Sequence, residues 1–123
     1  MKYLCLIYVD QDKWDALSPD EHRDLAMETS LFNEELCASG RSLGCSRLQP
    51  VETASTIRIG LGGTVVTDGP YAETKEQLGG YLLLDARDMN DAIRLAAKFP
   101  PARYGCIEVR PVLERALLGE VRQ

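Results

Sequence analysis

The chain has 123 residues, 45% of them apolar, with 14 Lys and Arg against 19 Asp and Glu and a net charge of −5. A domain of this length hides roughly two-thirds of its unfolded surface, so a core forms without disulfides or metals, and a disordered tail is excluded as the dominant state. The acidic balance excludes the electrostatic footprint that holds a phosphate backbone or an anionic membrane surface, so neither nucleic acid nor membrane is expected as a partner.

The run from Lys2 to Val9 predicts a strand. Tyr3, Cys5, Ile7 and Val9 alternate with Leu4, Leu6 and Tyr8, so both of its faces are apolar. The apolar stretch before Asp10 is too short for a secretory leader, and no window approaches the ~20 apolar residues of a membrane span. The expected location is cytoplasmic, and residues 1–123 are expected to form one domain. Asp10 to Pro19 reads as polar and turn-rich. Ser18-Pro19-Asp20-Glu21 is a helix start, with Pro in the first turn and Glu21 completing a capping box from Ser18. The helix is predicted to run to about Ser39 and stop at Gly40. Its inward stripe is Leu25, Thr29, Phe32 and Leu36, with Thr29 placing a hydroxyl on an apolar face. His22 lies in a charged first turn and reads as exposed and inert.

Leu43 to Leu48 predicts a short strand ended by Pro50. Thr56 to Ile59 and Thr64 to Thr67 form a hairpin around Gly60-Leu61-Gly62-Gly63, glycines without the following Lys-Ser or Lys-Thr of a phosphate loop. Asp68 to Gln77 is polar, and Gly79 to Leu84 predicts a buried strand. Asp88 caps a second helix whose inward face is Met89, Ala92, Ile93 and Ala96, stopped by Pro100-Pro101. Gly105 to Arg110 is the last strand, with Ile107 and Val109 on one side, Cys106, Glu108 and Arg110 on the other, and Pro111 at its end. Leu113, Leu117 and Leu118 predict a short helical tail. The four cysteines are scattered without a Cys-x-x-Cys pair beside a single histidine, which gives no metal site. They read as small buried hydrophobes.

The element order predicts an α+β fold, a ferredoxin-like split β-α-β antiparallel sheet with two helices on one face. Two helices cover one face, yet the first strand and Tyr81 to Leu84 are apolar on both. The second face therefore needs cover, from a second copy packed sheet to sheet or from the C-terminal tail.

Three strings carry a resemblance: Met1-Lys2-Tyr3-Leu4; the stretch from Asp68-Gly69-Pro70-Tyr71-Ala72-Glu73-Thr74-Lys75 through Glu76-Gln77-Leu78-Gly79-Gly80-Tyr81; and Glu108-Val109-Arg110-Pro111. Over nearly the whole chain they resemble the YCII-related family, in particular its DGPF branch of small bacterial proteins. The resemblance implies a dimeric α+β barrel, the architecture of muconolactone isomerases and small cofactor-free monooxygenases, and so a homodimer with no cofactor. Gene neighbourhood in that branch implies an extracytoplasmic-function sigma factor as a partner. Two departures matter. Tyr71 stands where the branch has Phe, and the helical histidine of other YCII proteins falls near Thr29, with His22 about two turns too early, so no His–Asp pair is carried over.

Asp68-Gly69-Pro70 is first a turn; the functional alternative is that the Asp68 carboxylate opens into the barrel mouth and moves a proton. Lys75 is either solvated beside Glu76 or holds an anionic substrate group. Gly79-Gly80 makes either a bulge or a close approach to a ligand. Tyr8, Tyr71 and Tyr81 are candidate pocket phenols or simple core tyrosines, and Thr29 either bonds a backbone carbonyl or lines a cavity. Two functions stay open. One is a cofactor-free enzyme for proton transfer or isomerisation on a small organic molecule, with Asp68 as acid or base, Tyr71 as donor and Lys75 as anchor. The other is a non-catalytic module that senses a small-molecule ligand or docks on a sigma factor.

Overall fold

The computed structural model describes residues 1–114. Tyr3, Cys5 and Ile7 alternate along β1 (Lys2–Asp10) and are almost fully buried, which makes β1 a central strand. Its neighbours are β5 (Glu76–Asp85) and β6 (Gly105–Pro111), both antiparallel to it, and β2 (Ser42–Arg47) adds antiparallel to β5. The sheet order is β2-β5-β1-β6. β1 and β2 therefore run parallel with β5 inserted between them, the split β-α-β arrangement of a ferredoxin-like α+β fold.

Local signals set the helices. α1 (Gln11–Asp15) occupies part of the stretch that reads as turns, because the buried Asp10 carboxylate accepts the N–H groups of Asp12 and Lys13 at 3.0 and 3.4 Å. α2 (Pro19–Ala38) opens on the reciprocal capping box of Ser18 and Glu21, with bonds of 2.8 and 3.1 Å. α3 (Met89–Ala96) is capped by Asp88. Leu25 and Leu36 of α2 are buried as the spacing predicts, and Phe32 packs edge-on against Phe99. On α3 the buried apolar side chains are Ala92, Leu95 and Ala96, whereas Ile93 is half exposed. Leu95, three positions after Ala92, shares its face, and Ile93 turns outward.

Both longer helices pack on the face of Cys5, Ile7, Leu82 and Leu84, where Leu36, Leu95, Ala96 and Phe99 close the main core. The opposite face carries Leu4, Leu6 and Leu83, which are half-buried. The predicted tail helix around Leu117 and Leu118 lies outside the described residues. Of the cysteines only Cys5 is buried, and burial pushes its thiol up to about 11. Cys37, Cys45 and Cys106 are exposed, contrary to the reading of all four as buried hydrophobes; Cys37 follows Leu36 on α2 and falls out of phase with the inward stripe.

β5 begins three residues before the expected start, pairing Glu76 with Asp10, and a bulge places Gly79 between the paired positions of Gly80 and Leu78. A side chain on Gly105 would place its Cβ 1.8 Å from the Tyr8 carbonyl oxygen, so only glycine lets β6 approach β1 here. β3 (Ser55–Gly60) and β4 (Gly63–Asp68) form a separate two-stranded hairpin sheet. Ile57 and Val66 face each other on it, 59% and 61% exposed. No described helix is long and apolar enough to cross a membrane.

Asp91 is the charged residue most deeply set in this frame, its side chain 0% exposed. It accepts from the Arg87 backbone N–H at 3.0 Å, from Arg94 Nη2 at 2.6 Å, from Arg87 Nη2 at 3.4 Å and from Arg41 Nη2. The Arg87 N–H and the Arg94 guanidinium, with Arg87 and Arg41 behind them, hold the carboxyl well below the usual carboxylate range. A depressed folded pKa adds stability that is complete above the unfolded value, about 3.9, and is lost as pH falls below it. Asp91→Asn is expected to lower Tm by roughly 10 °C at pH 7, with the gap from wild type narrowing steadily below about pH 4. Thermal melts of both proteins at pH 7 and pH 3 check this, and an equal gap at the two pH values contradicts it.

Candidate functional site

Along α2, His22, Ala26, Thr29 and Asn33 follow one another at four, three and four residues, a second stripe beside that of Leu25, Phe32 and Leu36. This stripe is small or polar where a packed helix would carry bulk. Beneath it β5 presents Gly79 and Gly80, which have no side chains to fill the space. A cavity of ≈ 690 Å3 results, with Ile7, Val9, Leu25 and Phe99 among its walls. That volume is in the range that holds a drug-sized organic ligand.

Polar groups are few on this wall. Thr29 Oγ1 donates to the Leu25 carbonyl at 2.7 Å, which leaves its lone pairs to the cavity. Asn33 Oδ1 is buried without a hydrogen-bond partner. Trp14, brought in by α1, stands edge-on to His22 with ring centroids 5.4 Å apart. The Arg47 guanidinium lies over the Trp14 ring, 4.9 Å from its centroid. Trp14, His22, Asn33 and Arg47 all line the cavity.

His22 is thus half-buried on a cavity wall, not exposed in a charged turn. The helical period held the signal: His22 is seven residues before Thr29, two turns along the same face. Trp14 and Arg47 gave none, because their meeting joins segments far apart in the chain.

The six residues singled out by the sequence divide into three places. Thr29 lines the cavity, whereas Tyr81 borders it along β5 and its pairing with Leu6 turns its phenol to the opposite sheet face. Tyr8 lies on the uncovered sheet face, donating to Glu108 Oε1 at 3.4 Å; burial first, then the Glu108 carboxylate, push its phenol up. Beside it the Cys106 thiol donates to Glu76 Oε1 at 3.2 Å, which raises the thiol pKa. Asp68, Tyr71 and Lys75 lie outside the cavity. Asp68 ends β4 at the rim of a smaller concavity shared with Glu52, Glu73 and Gln77. Gly69 follows with φ 103°, its N–H bonded to the Ala54 carbonyl at 2.7 Å and its carbonyl accepting from Thr56 Oγ1 at 2.8 Å, so the Asp-Gly-Pro segment closes the hairpin base. Tyr71 is 78% exposed, 5.4 Å from the Arg58 guanidinium. Lys75 Nζ lies 3.9 Å from Asp10 Oδ2. Among the described residues no three His, Cys, Asp or Glu side chains gather as a metal set.

Comparison with known proteins gives two findings. The model of the YCII-related domain matches residues 1–116. An uncharacterised protein of Rhizobium meliloti (strain 1021) is 35% identical over 114 residues, covering 91% of this chain and 92% of that relative.

An open cavity above Gly79 and Gly80 accepts added bulk. Thr29→Leu is expected to keep the fold, leave Tm unchanged or raise it by up to about 3 °C, and shift Trp14 emission to the blue as water leaves. Thermal melts and fluorescence spectra check this. A fall in Tm of about 5 °C or more would show the space already packed.

Proposed function

The chain belongs to the YCII-related family, and from that premise we propose that it binds a small organic molecule in the cavity between α2 and the sheet. The observation that carries this reading is the cavity itself, apolar in its walls and furnished with a few convergent polar groups. Thr29 is the ligand contact among the residues that the sequence singled out. His22 is the wall residue whose side chain both gives and accepts protons, so a cofactor-free proton transfer or isomerisation in the cavity runs through it. Asp68 keeps a structural place at the hairpin base in this reading. The working unit is a homodimer of the DGPF type, the uncovered face of Leu4, Leu6 and Leu83 meeting its copy. The alternative is a regulatory module docking on a protein such as an extracytoplasmic-function sigma factor, and it is favoured by the exposed Ile57, Ile59 and Val66 on one side of the hairpin.

Native mass spectrometry of the purified protein incubated with small-molecule extracts is expected to retain one ligand per subunit. Thr29→Leu should weaken that binding about tenfold or more, while Asp68→Asn changes it less than about twofold. The reverse pattern moves the site to Asp68 and ends the proposal.

Light scattering after size exclusion is expected to give a dimer at about 10 μM, and Leu6→Glu, which places a charge in the proposed contact, a folded monomer. A monomeric wild type would remove the sheet-face interface.

A further inference from the structure

Resting on the cavity reading above, we infer that the ligand is an anion, a carboxylate or a group of the same charge and shape, carried on an apolar body. Asp and Glu outnumber Lys and Arg 19 to 14 over the chain. The cavity reverses that balance: Arg23 and Arg47 line it, and no Asp or Glu does among the described residues. A reversal of sign confined to one concave surface selects for ligand charge.

The two arginines differ. Arg23 Nη1 is 2.9 Å from Asp20 Oδ1, so its charge is already answered. Arg47 makes no ion pair among the described residues; the Trp14 ring holds its guanidinium from one face. Stacking engages the π face and leaves the N–H fork in the plane, the geometry that a carboxylate meets with two parallel bonds. His22 stands edge-on to the same Trp14 ring.

The rest of the wall describes the rest of the ligand. Ile7, Val9, Leu25 and Phe99 offer no hydrogen bonds and call for an aromatic or aliphatic body. The buried, unpartnered Asn33 amide oxygen calls for one donor on that body, a hydroxyl or an N–H. The neighbouring concavity holds Glu52, Asp68 and Glu73 and repels a second anionic group, which fits a ligand with a single charge at the Arg47 end.

The test uses matched pairs that differ only in charge: 4-phenylbutanoate with 4-phenylbutanamide, and decanoate with decanamide. Each is titrated into the native protein, read by the emission of its single tryptophan, Trp14, and by calorimetry. The carboxylates are expected to bind about tenfold or more tighter than their amides, and only their affinity should fall as salt is raised. Arg47→Gln, at an exposed position, keeps the circular dichroism spectrum and reduces the preference to less than about threefold. Amides binding as well as carboxylates, or a preference that survives Arg47→Gln, would overturn the anion while leaving the cavity reading intact. Binding by none of the four compounds up to millimolar concentration, or binding that Thr29→Leu does not weaken, would count against the cavity reading and the anion together.

Discussion

A sheet that is apolar on both faces, with described helices on only one, is the constraint from which the rest of the molecule follows. β1 sets it, because Tyr3, Cys5 and Ile7 alternate with Leu4, Leu6 and Tyr8 and a strand cannot turn both sets the same way. α2 and α3 pack on the Cys5 side, where Leu82 and Leu84 from β5 complete the surface. Every apolar Å2 left wet on the other side forgoes about 25 cal/mol, so Leu4, Leu6 and Leu83 together favour any partner that covers them. At the polar rim of that face Tyr8 donates to Glu108 and Cys106 to Glu76 within the subunit.

The same topology explains why there is a cavity at all. β1 and β2 are parallel and separated by β5, so α2 must carry the chain across the full width of an inserted strand. It is anchored at its far end by Leu36 and Phe32 and at its start by Leu25, residues large enough to reach the sheet. Between these anchors the side chains over β5 are Ala26, Thr29 and Ser30, and the strand below is at its barest, at Gly79 and Gly80. Gly80 has its own reason to be there: a Cβ on it would sit 2.8 Å from the Ser46 carbonyl oxygen, so β2 could not pair so closely with β5. A requirement of strand pairing thus removes the side chain that would otherwise have plugged the space, and the short side chains of α2 leave it open.

What was legible in the sequence was what is decided locally. The alternation of β1, the Ser18–Glu21 box, the Asp88 cap and the glycine-rich hairpin turn are all fixed by residues within a few positions of one another, and the antiparallel α+β sheet follows from their order. The turn chemistry of Asp68-Gly69-Pro70 was legible for the same reason, and the bonds of Gly69 to Ala54 and Thr56 carry it out. Where that turn lies relative to the cavity was not, since it depends on how a hairpin with few ties to the main sheet is set against it. Thr29 was visible as a hydroxyl in an apolar stripe. His22 was hidden by its charged neighbours, Glu21, Arg23 and Asp24, although its period with Thr29 and Asn33 put it on the same line. α1 was hidden by its polar composition, and with it the tryptophan that closes one end of the cavity.

The placement of the arginines separates structure from function most sharply. Arg41, Arg87 and Arg94 converge on Asp91; Arg23, Arg103 and Arg110 each reach a carboxylate, Asp20, Glu28 and Glu108. Among the described arginines only Arg47 and Arg58 rest on aromatic rings instead. Arg58 does so on the open hairpin, where water answers its charge. Arg47 does so at the mouth of the cavity, open to water on one side and beside the apolar walls on the other. In a chain with carboxylates in excess, a guanidinium so placed is a positive pole at the edge of a hollow large enough to admit a guest. Trp14 explains how Arg47 is held, and among the described residues no carboxylate answers its charge.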